Sequence, residues 1–109
     1  MRKITNQELK DILTQHELWA ATDGQQGKKA DLSGTNLTDQ SFINVDLRGA
    51  IFIDAYLGRA SFFRCDVRGI DFTRAYLRTA YGVDQSFSDA NLEDADLTES
   101  QLKNINNKG

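Results

Sequence analysis

Proline is absent from the 109 residues, and cysteine, histidine, methionine and tryptophan occur once each. Each scarcity removes a possibility. With no proline, every backbone N–H is available to a ladder. A single cysteine, Cys65, excludes an internal disulfide and fits a reducing compartment. A lone histidine, His16, rules out a metal centre built on histidines. No apolar run reaches the roughly twenty residues that a membrane-spanning helix needs. Met1-Arg2-Lys3-Ile4-Thr5 runs into polar residues where a secretion signal would carry an apolar core, so a cytoplasmic chain is expected. The net charge of −3 argues against a basic nucleic-acid surface. Neither direct nucleic-acid binding nor membrane binding is expected.

What is present is a beat of five. From Ala30 to about Asn104 a large apolar residue returns at Leu32, Leu37, Phe42, Leu47, Phe52, Leu57, Phe62, Val67, Phe72, Leu77, Phe87, Leu92, Leu97 and Leu102, and only Gly82 misses it. Two residues before each of these centres stands a mostly small one, such as Ala50, Ala55, Ala60, Cys65 or Ala75. The positions between are dominated by Asp, Asn, Ser, Thr, Arg and Gly. Neither the helical period of 3.6 nor the strand period of 2 gives a strict five, so the chain is a repeat architecture. One large and one small inward residue per unit, with turn formers between, suits a solenoid of four short sides per coil.

The segment before the beat has a different pattern. Residues 4–22 read as one amphipathic helix. Thr5 and Glu8 form a capping box, with Ile4 and Leu9 as the hydrophobic staple across it. Leu9, Ile12, Leu13, His16 and Trp19 then fall on one face. Gly24 and Gly27 offer stops, and residues 25–29 form a polar linker. The spacing of Gly24 and Gly27 lacks the Lys-Ser/Thr of a phosphate loop. A helix this short needs something to cover, and the open end of the repeats is at hand. The division is therefore 1–29 for the capping helix and linker, 30–104 for the repeats and 105–109 for a C-terminal tail, all in one domain.

Ala30-Asp31-Leu32-Ser33-Gly34, Ala90-Asn91-Leu92-Glu93-Asp94 and Ala95-Asp96-Leu97-Thr98-Glu99 resemble the pentapeptide-repeat family, whose consensus is A(D/N)LXX. The segment Gln15-His16-Glu17-Leu18-Trp19 also resembles the leader that precedes such repeats in many bacterial members. The resemblance implies an all-β solenoid, a right-handed quadrilateral β-helix of about 3.75 coils with an N-terminal capping α-helix. It implies that the centre and the residue two before it point inward. Units such as Tyr76-Leu77-Arg78 depart from the consensus at outward positions.

With four units per coil, residues twenty apart stack. The third inward stack is then Phe42, Phe62, Gly82 and Leu102, and the fourth is Leu47, Val67 and Phe87. Gly82 should leave a gap, met either by Phe62 leaning in or by a backbone bulge that brings Tyr81 or Val83 inward; the bulge is preferred. Opposite charges also stack. Asp54, Arg74 and Asp94 share a corner, as do Asp39 with Arg59 and Arg64 with Asp84, while Asp46, Arg48, Asp66 and Arg68 form a checkerboard. Coil-to-coil ion pairing accounts for these arginines better than an anion-binding belt does. After Leu102 too few residues remain for a second helical cap, so that end is expected to be covered by a partner or a second copy, to be defended by charge alone, or to result from truncation of a longer chain.

No nucleophile, base and oxyanion donors assemble around a cleft, so no catalytic, cofactor-binding or metal-ligating residue is expected. Cys65 falls at an inward slot and reads as an inert thiol, and His16 as a residue that packs the cap. The functional hint is an outward apolar strip. Ile43, Phe63 and Val83 stack on one side with Tyr81 beside them, Tyr56 and Tyr76 stack on the adjoining side, and Ile51 and Ile53 lie beyond. Grouped outward aromatics suggest an interface for a protein partner or for self-association as a homodimer. The function expected is a non-catalytic protein-binding or scaffold module. The alternative is an acidic DNA mimic acting on DNA gyrase or topoisomerase, which the resemblance suggests for the base-free acids Asp84, Asp89, Glu93, Asp94, Asp96 and Glu99.

Overall fold

A computed structural model describes residues 1–104; the tail at 105–109 lies outside the described residues. Helix α1 runs Asn6–Ala21, and four short strands follow: β1 Ser41–Ile43, β2 Ser61–Phe63, β3 Tyr81–Gly82 and β4 Gln101–Leu102. They form one parallel sheet in the order β1-β2-β3-β4. Phe42 faces Phe62, Ser61 faces Tyr81 and Gly82 faces Leu102, so the chain returns to the same side every twenty residues. Three further sides are stitched by single parallel bridges. Asp31, Ile51, Asp71 and Asn91 make the first side and Asn36, Tyr56, Tyr76 and Asp96 the second. The sheet is the third side, and Asp46 with Asp66 the fourth. This is a β-helix solenoid.

The corners explain the five-residue beat. At a typical corner the small inward residue donates its N–H to the preceding centre, as Ala50 does to Leu47 O at 3.0 Å and Ala75 to Phe72 O at 2.9 Å. The third residue of each such turn is left-handed. From Gly34 to Asn104 that position has positive φ at ten non-glycine residues and at Gly34, Gly49 and Gly69, missing only at Asp84 and Asp89. For a residue such as Arg59 or Thr79 the left-handed state costs roughly 1–2 kcal/mol, so the ladders must hold it. The Asp or Asn before each centre helps, because its carboxylate or amide oxygen accepts the N–H two residues on. Asp31 takes Ser33 N–H at 3.1 Å and Asp71 takes Thr73 N–H at 2.9 Å.

Inside, Phe42, Phe52, Phe62, Phe72 and Phe87 are all but fully buried among Leu32, Leu47, Leu57, Val67 and Leu77. The Phe42 and Phe62 rings stack at 5.1 Å between centroids. Each fully buried large side chain contributes about 1.5–3 kcal/mol, spread along the column instead of gathered at one centre.

The third coil breaks the pattern, and the expected bulge is not what breaks it. Gly82 stays in register in β3, with Tyr81 and Val83 exposed on either side of it. The gap is filled by Phe87, whose ring packs edge-on against Phe62 at 5.7 Å. A Cβ on Gly82 would stand 2.8 Å from Phe87 Cε2 and 3.0 Å from Gln85 Nε2. Phe87 thus leaves its expected place under Val67 and continues the Phe42–Phe62 stack. Its backbone follows, with Phe87 N–H donating to Lys103 O at 2.9 Å. Side chains replace the lost rungs: Asp84 accepts Arg64 N–H at 2.9 Å, and the Gln85 amide donates to Phe62 O at 3.1 Å.

The N-terminal end is closed twice. Arg2 adds a rung beside Thr35, donating to Gly34 O and accepting from Asn36 N–H, both at 2.8 Å. Helix α1 begins at the predicted capping box, with Thr5 as N-cap, and lays buried Leu9 with half-buried Ile12 and Leu13 on the column. Lys28 N–H returns to Gln15 O at 3.1 Å, and only glycine fits at Gly27 because a Cβ there would collide with that carbonyl. At the opposite end Leu92, Ala95 and Leu97 are only partly buried.

Candidate protein-binding surface

The outward strip is built by β1, β2 and β3. Strand pleat turns Phe42, Phe62 and Gly82 inward and their neighbours outward. Ile43 sits in register with Phe63, and Tyr81 follows Ser61 on the same sheet. Ile43, Phe63, Tyr76, Tyr81 and Val83 are each 44–56% exposed. The Arg64 guanidinium lies 5.0 Å above the Phe63 ring. On the second side Tyr56 and Tyr76 stack at 4.7 Å with their planes 5° apart. Ile51, Ile53 and Tyr56 are half-buried and offer less surface.

The arginines are mostly matched by carboxylates. Arg59 pairs with Asp39 at 2.6 Å and Arg74 with Asp54 at 2.9 Å, each one coil apart. On the fourth side Arg48 meets Asp46 at 2.7 Å and Asp66 at 3.6 Å, and Arg68 meets Asp66 at 2.6 Å. The Arg68 hydrogen bond holds the Asp66 carboxyl below its ordinary range against the opposing effect of burial. Burial raises Asp46, but the bonds and charge of Arg48 outweigh it and the group also sits low. The expected Arg64–Asp84 ion pair does not form, because Asp84 is drawn to the Arg64 backbone N–H left vacant by the broken ladder.

His16 and Cys65 serve the fold. His16 is buried and stacks on Trp19 at 5.3 Å. Its Nδ1 accepts Ala30 N–H at 2.9 Å, standing in for the centre that no preceding unit supplies. Its Nε2 has no partner. Burial pulls the imidazole below its ordinary pKa, opposed by the Arg48 backbone and Asp46. The Cys65 thiol is buried against Phe42 O at 3.3 Å, and burial pushes it up, as an unreactive thiol requires. Among the described residues no group of three or more His, Cys, Asp or Glu could hold a metal ion.

A groove of about 450 Å³ opens where the end of α1 meets the fourth side, lined in part by Trp19, Asp23, Gly49, Arg68, Gly69 and Asp89. Trp19 leans over Gly49, where a Cβ would lie 3.4 Å from its ring.

A family profile describing pentapeptide repeats matches residues 30–69, 41–78 and 84–106, with eight copies. The chain belongs to the pentapeptide-repeat family. Among solved structures, this pentapeptide-repeat chain is similar to a pentapeptide repeat protein from the Arabidopsis thaliana thylakoid lumen, at 30% identity over 72% of this chain and 54% of that one, with a TM-score of 0.44. A pentapeptide repeat protein from the cyanobacterium Cyanothece 51142 matches at 30% identity over 70% and 42% of the two chains, with a TM-score of 0.29. HetL from Nostoc sp. strain PCC 7120, a pentapeptide repeat protein involved in heterocyst differentiation regulation, matches at 28% identity over 78% and 40%, with a TM-score of 0.29. The chain thus spans about half or less of the length of these proteins. Among curated proteins none matches.

The pentapeptide register brings Ile43, Phe63 and Tyr81 to one sheet, and puts Tyr56 with Tyr76 on the side before it. Val83 falls just past β3 and does not pair with Phe63, although its spacing predicts that it would. Sequence reasoning missed the groove. The one signal available was Gly49 and Gly69, stacked twenty apart at a corner where most other units carry a side chain.

Proposed function

We propose that this pentapeptide-repeat protein is a non-catalytic binding module that displays its outward apolar side on a rigid rod. The rod is a right-handed quadrilateral β-helix of about 3.75 coils, from fifteen units at four to a coil. Parallel crossovers are right-handed in nearly all proteins, which supports that hand. The carrying observation is the exposure of Ile43, Phe63 and Tyr81 together on one sheet, with exposed Val83 just past the end of β3. Exposed apolar groups in contiguous patches mark docking sites, and aromatics supply most of the binding energy at such sites. The partner is a protein, and a second copy of the chain is the simplest one to test.

Sedimentation velocity at micromolar and near-millimolar concentration, with the wild type beside Phe63→Asp, is the test. Concentration-dependent association that Phe63→Asp weakens supports a self-docking side. A wild type and variant that sediment alike and hold any isolated partner equally would refute the proposal. DNA mimicry is less well supported, because the acids at 84–99 border a middle where Arg48, Arg59, Arg68 and Arg74 are interleaved with carboxylates.

A further inference from the structure

The fourth side carries a ladder defect that, unlike the one on the third side, no side chain among the described residues repairs. In the first coil Leu47 N–H donates to Asp66 O at 2.8 Å and Gly49 N–H to Arg68 O at 2.9 Å. One coil on, Val67 N–H and Gly69 N–H have no acceptor among the described residues, and no bridge joins Asp66 to Ser86. The chain that should pair with them has gone with Phe87 towards Lys103. Two N–H groups spaced two residues apart are what a strand edge offers to an incoming strand.

The groove opens at the same place. Gly69 lines it without a side chain, Gly49 lies close behind, and Trp19 forms the wall. Charge selects the occupant. Arg48 and Arg68 also line the groove, but each is already held by a carboxylate, Arg48 by Asp46 at 2.7 Å and Arg68 by Asp66 at 2.6 Å. Asp23 and Asp89 line the groove without an ion pair among the described residues. Lys29 adds one cation nearby, its Nζ 5.6 Å from the centre of the Trp19 ring. The balance is negative, so a free anion is opposed and a lysine or arginine side chain is favoured.

We propose that an extended peptide carrying a basic residue docks in this groove, its carbonyls accepting from Val67 and Gly69 and its cation reaching Asp89 beside Trp19. This site is separate from the apolar side of β1–β3 and does not depend on it.

Trp19 is the only tryptophan, so its fluorescence reports the groove. The probe is a blocked Thr-Val-Arg-Val-Thr peptide, titrated beside Thr-Val-Glu-Val-Thr and inorganic phosphate. The expected result is a saturable change with the arginine peptide alone, weakened at least about ten-fold by Asp89→Lys. Val67 and Gly69 amides should exchange at least about ten-fold more slowly when the peptide is bound. Phe63→Asp should leave the titration unaltered, which separates this site from the apolar side. No saturable change, an equal response to the glutamate peptide or to phosphate, or binding that leaves both amides exchanging as before would overturn the proposal.

Discussion

The first two coils and the third are made from the same five-residue unit, yet they solve the packing problem differently. In the first two, each centre fills its own slot beneath the one before it, as Phe42 and Phe62 do. In the third, one missing side chain at Gly82 is made good from the next unit, and Phe87 fills that gap by leaving its own place under Val67. The lesson is that a repeat transmits a local deletion sideways. A gap on the third side becomes a broken ladder on the fourth, and the groove opens there.

The largest effect that would break this comparison is removal of a shared ring. Phe62 touches Phe42, Phe72 and Phe87, so Phe62→Ala removes contacts in both regions at once. It should cost about 3–5 kcal/mol in urea denaturation. Leu97→Ala, at the partly buried end, should cost clearly less, about 1–2 kcal/mol.

Glycine substitutions sharpen the contrast. Gly82→Ala puts a Cβ 2.8 Å from the Phe87 ring and should destabilise by about 1–3 kcal/mol. Gly58→Ala meets nothing nearer than 3.9 Å and does not sit at positive φ, so it should be neutral or stabilise by up to about 1 kcal/mol. Equal effects in thermal melts would remove Phe87 from its assigned place.

The next effect concerns the capped end. His16 is buried with a depressed pKa, so the folded state resists a proton that the unfolded chain accepts. Stability is therefore full above the ordinary histidine range. It falls as pH drops through that range towards the folded value, then levels off with respect to this group. His16→Gln should flatten that part of the stability profile. Asp46 and Asp66 are also held below their ordinary range; their contribution persists above the ordinary carboxylate range and is lost as pH falls through their depressed folded values.

Most of the solenoid was legible because its information is local. The beat at Leu32 to Leu102 assigns the inward face, and Thr5 with Glu8 announces the helix start. The outward strip was legible for the same reason, since pleat and register follow from position alone. The fate of Gly82 was not. Its neighbours Tyr81 and Val83 look like the natural replacements, whereas Phe87 reaches it across a corner that no periodicity describes. The groove depends on that displacement and on where the end of α1 comes to rest over Gly49, so it was hidden as well.

The smallest expected effect is at the exposed pairs. Arg59→Ala removes a 2.6 Å bond to Asp39 in water-exposed surroundings. The denaturation midpoint should barely move, and the shift should vanish in high salt.

Amide hydrogen exchange tests most directly whether the filling of Gly82 breaks the fourth ladder. Leu47 and Gly49 N–H are bonded to the coil below, and Val67 and Gly69 N–H are not. The account predicts slow exchange for the first pair and fast exchange for the second, in one protein under one condition. Equal protection of Gly49 and Gly69 would mean that the ladder continues unbroken, and would contradict it.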